Sequence, residues 1–195
     1  MKKAAIVIKT TLILFIITSV SALLLAFVNE KTAPLIAANE LKSQQKALKK
    51  VMPDAAEFEE YEVDDALNEA VSEYNCEING VYAAKTSDNK NAGICAILTG
   101  SGYDSGLQIA VGVDSEHKVT GIEIISSNET PGLGQNASKE DFKSQYKGKT
   151  DGIEVVKSAA DGNRINAISG ATLTSNGVTR IVNAALKIAG IKEGK

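Results

Sequence analysis

The sequence is short of the residues that bind metals and metal cofactors. Among 195 residues there is no tryptophan, one histidine and two cysteines. A single histidine excludes a multi-histidine metal site, or a haem held by two histidines, within this chain. The string C-x-x-C-H is absent, which excludes a c-type cytochrome. Two cysteines cannot alone supply the four ligands of an iron–sulfur cluster. Any redox role would therefore require an organic cofactor.

An excess of positive charge is also missing. The chain carries 21 lysine and arginine residues against 24 aspartate and glutamate residues, for a formal net charge of -3. A nucleic-acid-binding domain would show a basic face, so the charge argues against that class of protein. Hydrophobic residues make up 44% of the chain. The chain can therefore bury a core, and its length suits one anchor segment plus one compact domain.

A long uncharged stretch near the N-terminus predicts a membrane anchor. Residues 10–28 carry no charge, and together with the preceding residues from Ala4 they are long enough to cross a bilayer, which takes about 20 residues. A cleaved signal peptide would have an apolar region of about 7–15 residues, followed closely by a small-x-small cleavage site. The longer run favours a retained anchor over a signal peptide.

The basic residues around this stretch predict its orientation. Lys2, Lys3 and Lys9 precede the span, whereas only Lys31 closely follows it, beside Glu30. By the positive-inside rule, the N-terminus faces the cytoplasm. We therefore expect a single-pass protein of the cell (inner) membrane, with its main domain outside the cytoplasm.

The segment after the anchor is predicted to connect it to the main domain. A helix is expected from about Pro34, which suits a first helical turn, to about Met52, where Pro53 helps to end it. The acidic segment 57–77 is expected to be an exposed strand-and-turn surface. The predicted organisation is a cytoplasmic start and transmembrane anchor at 1–30, a connecting amphipathic helix at 31–56 and a main domain at 57–195.

The hydrophobic pattern of the main domain has a period of two over most of its length. Alternation over residues 72–78 is followed by Asn79-Gly80, which predicts a hairpin turn because both residues accept positive φ. Further strands are predicted at 93–99, 107–113, 119–126 and 153–156.

The last segment changes to a helical period. Its apolar positions are Val178, Ile181, Val182, Ala185 and Leu186, and Gly190 is the expected stop. The predicted fold class is therefore α+β. One N-terminal transmembrane helix is followed by a mostly antiparallel sheet domain with a C-terminal helix.

The segment that leads into this helix, NAISGATLTSNGV at 166–178, is rich in hydroxyl and glycine residues. A helix start exposes unpaired N–H groups and the positive end of the dipole, which favours phosphate. Gly170 would let a ligand approach the backbone closely. Simple helix capping by serine or threonine accounts for the same residues without a ligand. The residues alone leave both interpretations open.

The string Ser169-Gly170-Ala171-Thr172 resembles the flavinylation motif S/T-G-A-T of the FMN-binding domain family. That family includes the G subunit of the Rnf complex and the longer C subunit of the sodium-pumping NADH:quinone reductase, and the short chain favours the former. The resemblance implies covalent FMN, joined by a phosphoester to the hydroxyl of Thr172. A dedicated flavin transferase would form this bond from FAD with magnesium.

One position departs from the family motif. The motif usually has an aspartate three residues before the Ser/Thr, where this sequence has Asn166. Asparagine keeps the size and an acceptor oxygen but loses the charge. The resemblance therefore implies slower modification if that charge helps the transferase to dock.

A second string strengthens the resemblance. Residues 129–134, Glu-Thr-Pro-Gly-Leu-Gly, are similar to the family's E-T-P-G-L-G loop beside the flavin, although Pro-Gly by itself predicts only a type II turn. Besides the attachment residue Thr172, the cofactor contacts that the resemblance implies are Ser169, Gly170, Ala171, Thr174, Ser175, Glu129, Thr130, Gly132 and Leu133. No catalytic residue and no metal ligand is expected in this chain.

The resemblance also implies a place in an electron-transfer sequence. Electrons from reduced ferredoxin would pass through iron–sulfur subunits to this FMN, then to a flavin on the membrane D subunit and on to NAD. Sodium ions or protons would be moved across the membrane. The implied partners are the other Rnf membrane subunits, especially those of A, D and E type, the flavin transferase and the lipid bilayer.

Two other interpretations stay open at this stage. The first is a stand-alone extracytoplasmic flavinylated electron carrier, and the second is a non-redox binding module tethered to the membrane. For the remaining chemistry-bearing residues, an extracytoplasmic domain permits a disulfide between Cys76 and Cys95, but two buried free thiols are favoured. His117 lies in a polar loop and is expected at the surface.

Overall fold

A computed structural model of the chain describes residues 2–194. Met1, Lys195 and the side chains of Lys2, Ala4, Ala5 and Glu193, which the predicted ranges and orientation include, lie outside the described residues. The chain divides after Lys42 into two compact units. The division falls inside the segment that was predicted to connect the anchor to the main domain.

Helix α1 runs without interruption over Lys2–Val51. The prediction of a separate helix that begins at Pro34 is wrong, because Pro34 lies inside α1. A proline removes one N–H donor from the helix, whereas propagation on both sides adds one bond per residue, so the helix continues through it. Part of α1 is long and apolar enough to cross a membrane, and its most apolar window is not buried.

The second unit is built on a five-stranded sheet. The strands lie in sequence order, and every neighbouring pair is antiparallel. The strands are β1 (Glu57–Tyr61), β2 (Glu77–Lys85), β3 (Asn91–Ser101), β4 (Ser105–Asp114) and β5 (Val119–Ser126). The strands predicted at 93–99, 107–113 and 119–126 are confirmed, and so is the α+β class.

Short elements fill the chain between β5 and the last helix. In order they are a 3₁₀ helix (Gly134–Ser138), helix α3 (Glu140–Lys143), a second 3₁₀ helix (Ser144–Tyr146) and two short strands, β6 (Glu154–Val156) and β7 (Arg164–Asn166). The two strands pair in parallel. Of these elements only β6 was predicted, from the run Ile153–Val156, and all of them are too short to show a hydrophobic period.

The acidic segment begins with an exposed strand, β1, as predicted, but a helix follows where only turns were expected. Helix α2 covers Asp65–Ser72, and the Asp64 carboxylate accepts from the Leu67 N–H at 2.9 Å to cap it. Leu67 and Val71, four positions apart, are its buried residues. Two apolar positions are too few to reveal a helical period among the surrounding acidic side chains.

The predicted hairpin turn at Asn79-Gly80 is also wrong. Strand β2 passes through both residues, and its register against β3 shifts between Ile78 and Gly80. Asn79 is the extra residue of this bulge, and its Oδ1 accepts from the Thr99 hydroxyl at 2.6 Å. Turns and bulges both interrupt regular pairing and both tolerate asparagine and glycine. The sequence therefore does not distinguish between them.

One face of the sheet packs against helix α4, which covers Thr172–Glu193. The five apolar positions predicted for this helix are confirmed as buried, each at most 1% exposed. The predicted stop at Gly190 is wrong. The helix continues for three more residues and ends at Gly194, whose φ of 70° is the left-handed conformation typical of a helix end.

The opposite face of the sheet is covered by the last turns of α1. Leu48 and Val51 are buried there against Cys95 and Ile97 of β3. The Thr120 hydroxyl of β5 donates to the Val51 carbonyl oxygen. Both faces of the sheet are therefore covered, and the strand ends remain available for a site.

Candidate cofactor site

A pocket of about 540 Å³ opens where three segments of the second unit meet. These segments are the turn after β3, the loop after β5 and the first turn of α4. The volume lies within the roughly 300–1,000 Å³ that small-molecule and cofactor sites occupy. The lining residues are Tyr103, Glu129, Thr130, Leu133, Gly134, Gly170, Ala171, Thr172, Leu173 and Thr174.

The loop after β5 turns sharply over residues 130–133. The Leu133 N–H donates to the Thr130 carbonyl oxygen at 3.2 Å, and Gly132 has a φ of 77°. Pro131 precedes that glycine, which is the arrangement of a type II turn. The turn leaves Leu133 at the pocket with 45% of its surface exposed.

A second glycine turn leads into α4, over residues 168–171. The Ala171 N–H donates to the Ile168 carbonyl oxygen at 2.9 Å, and Gly170 has a φ of 75°. The Ser175 hydroxyl fastens this turn from the helix, because it accepts from the Ile168 N–H at 2.9 Å and donates to the Ala171 carbonyl at 3.0 Å. A Cβ at Gly170 would lie 3.2 Å from Leu133 Cδ2. The two glycine turns therefore meet at the pocket.

The first turn of α4 opens on the pocket without a side-chain cap. Ala171 is the N-cap residue and makes no capping hydrogen bond with its side chain. The N–H groups of Thr172, Leu173 and Thr174 have no acceptor inside the helix, as in any first turn. These groups and the positive end of the helix dipole favour a bound phosphate. Simple capping by serine or threonine does not describe this helix start.

The hydroxyl groups around this turn differ in accessibility. Thr172 and Ser169 are exposed. Thr174 and Ser175 are at most 1% exposed, and both of their hydroxyls are hydrogen-bonded inside the protein. A reagent that approaches from solvent can therefore reach Thr172 but not Thr174 or Ser175.

Glu129 is a buried carboxylate beside the pocket, 3% exposed. Its Oε1 accepts from the Tyr103 N–H at 2.9 Å and from the Asp104 N–H at 3.2 Å. Its Oε2 accepts from the Thr174 hydroxyl at 2.7 Å. One side chain thus connects the turn after β3, the loop after β5 and helix α4.

Most of the cofactor contacts expected from the sequence come together at this pocket. Glu129, Thr130, Leu133, Gly170, Ala171, Thr172 and Thr174 line it, whereas Ser169, Gly132 and Ser175 do not. Three lining residues were not predicted as cofactor contacts from the sequence: Tyr103, Gly134 and Leu173. Gly134 is the last residue of the E-T-P-G-L-G string and Leu173 directly follows the S-G-A-T string, so their position along the chain was a usable signal. Tyr103 reaches the pocket only through the tertiary fold.

The rim of the pocket is apolar and accessible. Tyr103 is 73% exposed and Leu173 is 60% exposed, and both lie beside Leu133 in the lining. Exposed apolar side chains that gather around a pocket mark a place where a ligand or partner binds. The flat ring of Tyr103 and the branched side chains of Leu133 and Leu173 form an apolar surface that suits packing against an aromatic ring system.

Asn166, which replaces the usual aspartate of the motif, organises the chain before the pocket. Its Oδ1 accepts from the Ala160 N–H at 3.0 Å. The Gln145 side chain holds its backbone, because Gln145 Oε1 accepts from the Asn166 N–H at 2.7 Å. An aspartate could accept the same Ala160 N–H, since both side chains carry an acceptor oxygen. The local structure therefore tolerates the loss of charge at this position.

Cys76 and Cys95 are free thiols, as favoured from the sequence. Cys95 is buried in the sheet, whereas Cys76 is only half-buried. Burial raises the pKa of Cys76 to about 11 and the pKa of Cys95 to about 12. His117, expected at the surface, is 16% exposed through its side chain, and its Nε2 lies 2.9 Å from Asp151 Oδ2.

Comparison with known proteins now adds to this geometry. The FMN-binding domain family matches residues 102–187, and the RnfG N-terminal region family matches residues 1–51. The G subunit of the Na(+)-translocating ferredoxin:NAD(+) oxidoreductase complex of Acetobacterium woodii is 37% identical over 192 residues, which cover 94% of this chain and 91% of that protein. The chain belongs to the Rnf G-subunit family.

Another member of the Rnf G-subunit family differs in its ion. The G subunit of the proton-translocating ferredoxin:NAD(+) oxidoreductase complex of Clostridium ljungdahlii is 32% identical over 172 residues, which cover 86% of this chain and 83% of that protein. The two relatives are named for different ions, although both resemble this chain along most of its length.

The fold is shared with a solved structure. NqrC of Shewanella oneidensis superposes with a TM-score of 0.52 and 24% identity over 58% of each chain. The FMN-binding domain match covers the pocket residues from Tyr103 to Thr174, which supports FMN as the cofactor of this chain. With the exposed apolar part of α1, the chain is a membrane-anchored member of its family.

Proposed function

We propose that this chain is the FMN-carrying electron-transfer subunit of a membrane complex that couples ferredoxin-to-NAD electron flow to sodium or proton translocation. Its FMN is held covalently, through a phosphoester to the Thr172 hydroxyl. The observation that carries the attachment is accessibility. Thr172 is exposed at an uncapped helix start, whereas the hydroxyls of Thr174 and Ser175 are buried and already hydrogen-bonded.

The residues at the pocket suit the two ends of FMN. The phosphate would lie at the first turn of α4, where Gly170 and Ala171 bring the backbone close and the helix N–H groups have no other acceptor. The ring would lie against the apolar rim of Tyr103, Leu133 and Leu173. FMN supplies the electron chemistry when bound, since a flavin accepts and releases one or two electrons.

The other residues that were predicted to contact FMN would shape the site. Thr130 lines the pocket, and Gly132 and Ser169 lie within the two turns that face it. The chain's own residues therefore bind and orient the cofactor. No general base is required in this chain, because a flavin transferase would perform the attachment.

The partners follow from the family. The other Rnf membrane subunits, especially those of A, D and E type, would exchange electrons with this FMN, and the transferase would act on Thr172 before assembly. Lys3 and Lys9 at the start of α1 support a cytoplasmic N-terminus. A single span is supported by the one helix of sufficient length and apolarity found among the described residues. The main domain would then lie outside the cytoplasm, where covalent attachment prevents loss of FMN by dilution.

The test is intact mass and in-gel flavin fluorescence of the full chain, co-expressed with a flavin transferase. We expect an FMN adduct that survives denaturation in the wild type and in Thr174→Ser, and none in Thr172→Ala. Thr174→Ser is the matched control, because it alters a hydroxyl residue of the same turn without removing the hydroxyl.

Two results would contradict the proposal. An adduct in Thr172→Ala would move the attachment, and Ser169 would then be the next residue to replace because its hydroxyl is exposed. No adduct in any variant would remove the covalent flavin and favour a membrane-tethered binding module.

A further inference from the structure

Among the residues whose side chains the structure describes, Glu129 is the one charged residue that is buried. A buried carboxylate is costly unless hydrogen bonds compensate it. Here two backbone N–H groups and one hydroxyl do so, at 2.9, 3.2 and 2.7 Å. Its oxygens are thus directed at the protein, although the residue also borders the pocket.

We propose that Glu129 is a positioning residue that holds the three segments of the FMN site in register, rather than a group that recognises the flavin. The inference rests on the proposed function, since the segments it joins are those that carry Thr172 and the apolar rim. Its partners are distant in sequence, at 26, 25 and 45 positions from Glu129. At these separations a single helix or turn cannot bring the partners together, so they meet through tertiary contacts such as those of Glu129.

Two glycines let the backbone close around this carboxylate. A Cβ at Gly102 would contact Glu129 Oε1 and lie 3.1 Å from Thr174 Cα. A Cβ at Gly134 would contact Glu129 Oε2 and lie 2.6 Å from the Thr174 hydroxyl oxygen. The backbone at Gly102 and at Gly134 therefore packs directly against the Glu129 carboxylate, with no room for a side chain between them. Such close packing restricts movement of the segments relative to one another.

These contacts of Glu129 fix the position of the apolar rim relative to Thr172. Tyr103 donates its own N–H to Glu129, and Leu133 follows four positions after Glu129 in the same loop. A single helical residue separates Thr172 from Thr174, the third partner. Without Glu129, a flavin could still be attached to Thr172, but its ring would lose a fixed surface to lie on.

The test compares three variants of the full chain in detergent: Glu129→Ala, Glu129→Gln and the control Glu69→Ala, an exposed glutamate on α2. The first measurement uses protein without flavin. Hydrogen exchange of the peptide covering residues 101–106 should be faster on the order of tenfold or more in Glu129→Ala, because two backbone N–H groups lose a charged acceptor. It should be unchanged in Glu69→Ala.

Glutamine is the rescuing variant. It keeps one carbonyl oxygen for the Tyr103 and Asp104 N–H groups, and the Thr174 hydroxyl can rotate to accept from its amide. Exchange in Glu129→Gln should therefore stay close to wild type. If Glu129→Ala loses its far-UV circular dichroism, Thr174→Val takes its place. This variant removes one of the three donors to Glu129, so hydrogen exchange of the same peptide should again be faster than in wild type, but by a smaller factor.

The second measurement uses protein carrying the flavin. The visible circular dichroism and fluorescence anisotropy of the attached flavin should fall in Glu129→Ala and be retained in Glu129→Gln, while intact mass shows the adduct in both. Equal exchange in Glu129→Ala and Glu69→Ala would overturn the proposal, as would a glutamine variant that behaves like alanine. Absence of flavin from the wild type would instead overturn the proposed function, and the exchange measurement would still decide the role of Glu129.

Discussion

Glu129 and Thr174 are 45 positions apart in the chain, and the Thr174 hydroxyl donates to Glu129 Oε2 at 2.7 Å in the interior. Glu129 begins the E-T-P-G-L-G string, and Thr174 lies two positions after Thr172, the proposed attachment residue. The E-T-P-G-L-G string is therefore in direct contact with the helix that begins at the end of the S-G-A-T string. This contact accounts for the glutamate, which the turn formed by Pro131 and Gly132 does not require.

Removal of the Thr174 hydroxyl should destabilise the domain. Thr174→Val keeps the shape of the side chain but leaves a buried carboxylate oxygen short of a donor, at a cost of about 1–3 kcal/mol. The melting temperature of the full chain should fall by several degrees, whereas Thr174→Ser should change it little. Thr150→Val, at an exposed threonine, is the control. Equal melting of Thr174→Val and wild type would mean that the hydrogen bond contributes no net stability.

Docking of the last turn of α1 on the sheet should depend on Gly112. A Cβ there would contact the Thr120 hydroxyl and lie 2.6 Å from the Val51 carbonyl oxygen. Such overpacking typically costs about 1–3 kcal/mol, so Gly112→Ala should lower the melting temperature measured by far-UV circular dichroism. Gly121→Ala is the matched control, because Gly121 pairs with Gly112 across the strands and a Cβ there meets nothing closer than 3.7 Å.

A destabilised Gly121→Ala variant, or a Gly112→Ala variant as stable as wild type, would contradict this account of the interface between α1 and the sheet.

The two thiols should resist alkylation in the folded protein. Burial raises the pKa of Cys76 to about 11 and that of Cys95 to about 12, and the thiolate is the reactive form. At about pH 8, iodoacetamide should therefore react much more slowly than with an ordinary cysteine, whose pKa is about 8.5. The rate at Cys76 should rise with pH towards 11 and exceed that at the more buried Cys95, as measured by peptide mass spectrometry.

After unfolding without reductant, two thiols should be titratable, because both cysteines are free. A protein with no titratable thiol under those conditions would show that a disulfide forms in the native compartment.

Stability at acid pH should depend on the cap of α2. The Leu67 N–H that bonds the Asp64 carboxylate lowers the pKa of Asp64 below its ordinary value of 3.8, and Lys192 adds to the effect. Because the folded-state pKa is the lower one, the stabilisation is complete above pH 3.8 and disappears as the pH falls through the folded-state pKa. Melting temperatures of wild type and Asp64→Asn should therefore converge on acidification.

Asparagine is the informative comparison for this cap, because it also accepts at the start of a helix but does not titrate. A gap between wild type and Asp64→Asn that stays constant down to the lowest pH would show that the Asp64 charge is not involved.

Elements with strong local patterns could be predicted from the sequence. The uncharged run at residues 10–28 predicts the apolar part of α1, the apolar runs of β3 to β5 predict strands, and the helical period of α4 predicts its buried face. These patterns are reliable because each lies within a single element. Asn79-Gly80 and Pro34 gave wrong predictions, since local conformational preference was outweighed by sheet pairing in one case and helix propagation in the other.

The sequence by itself determined the candidates: an apolar N-terminal helix, an α+β domain, and a motif whose threonines and serines could take FMN. Only the tertiary structure showed which of those hydroxyls are accessible and which groups Glu129 contacts. The physical reason is that accessibility and hydrogen-bond satisfaction depend on groups brought from elsewhere in the chain. Thr174 is buried by Glu129 and Gly134, whereas Thr172 stays exposed at the first position of α4.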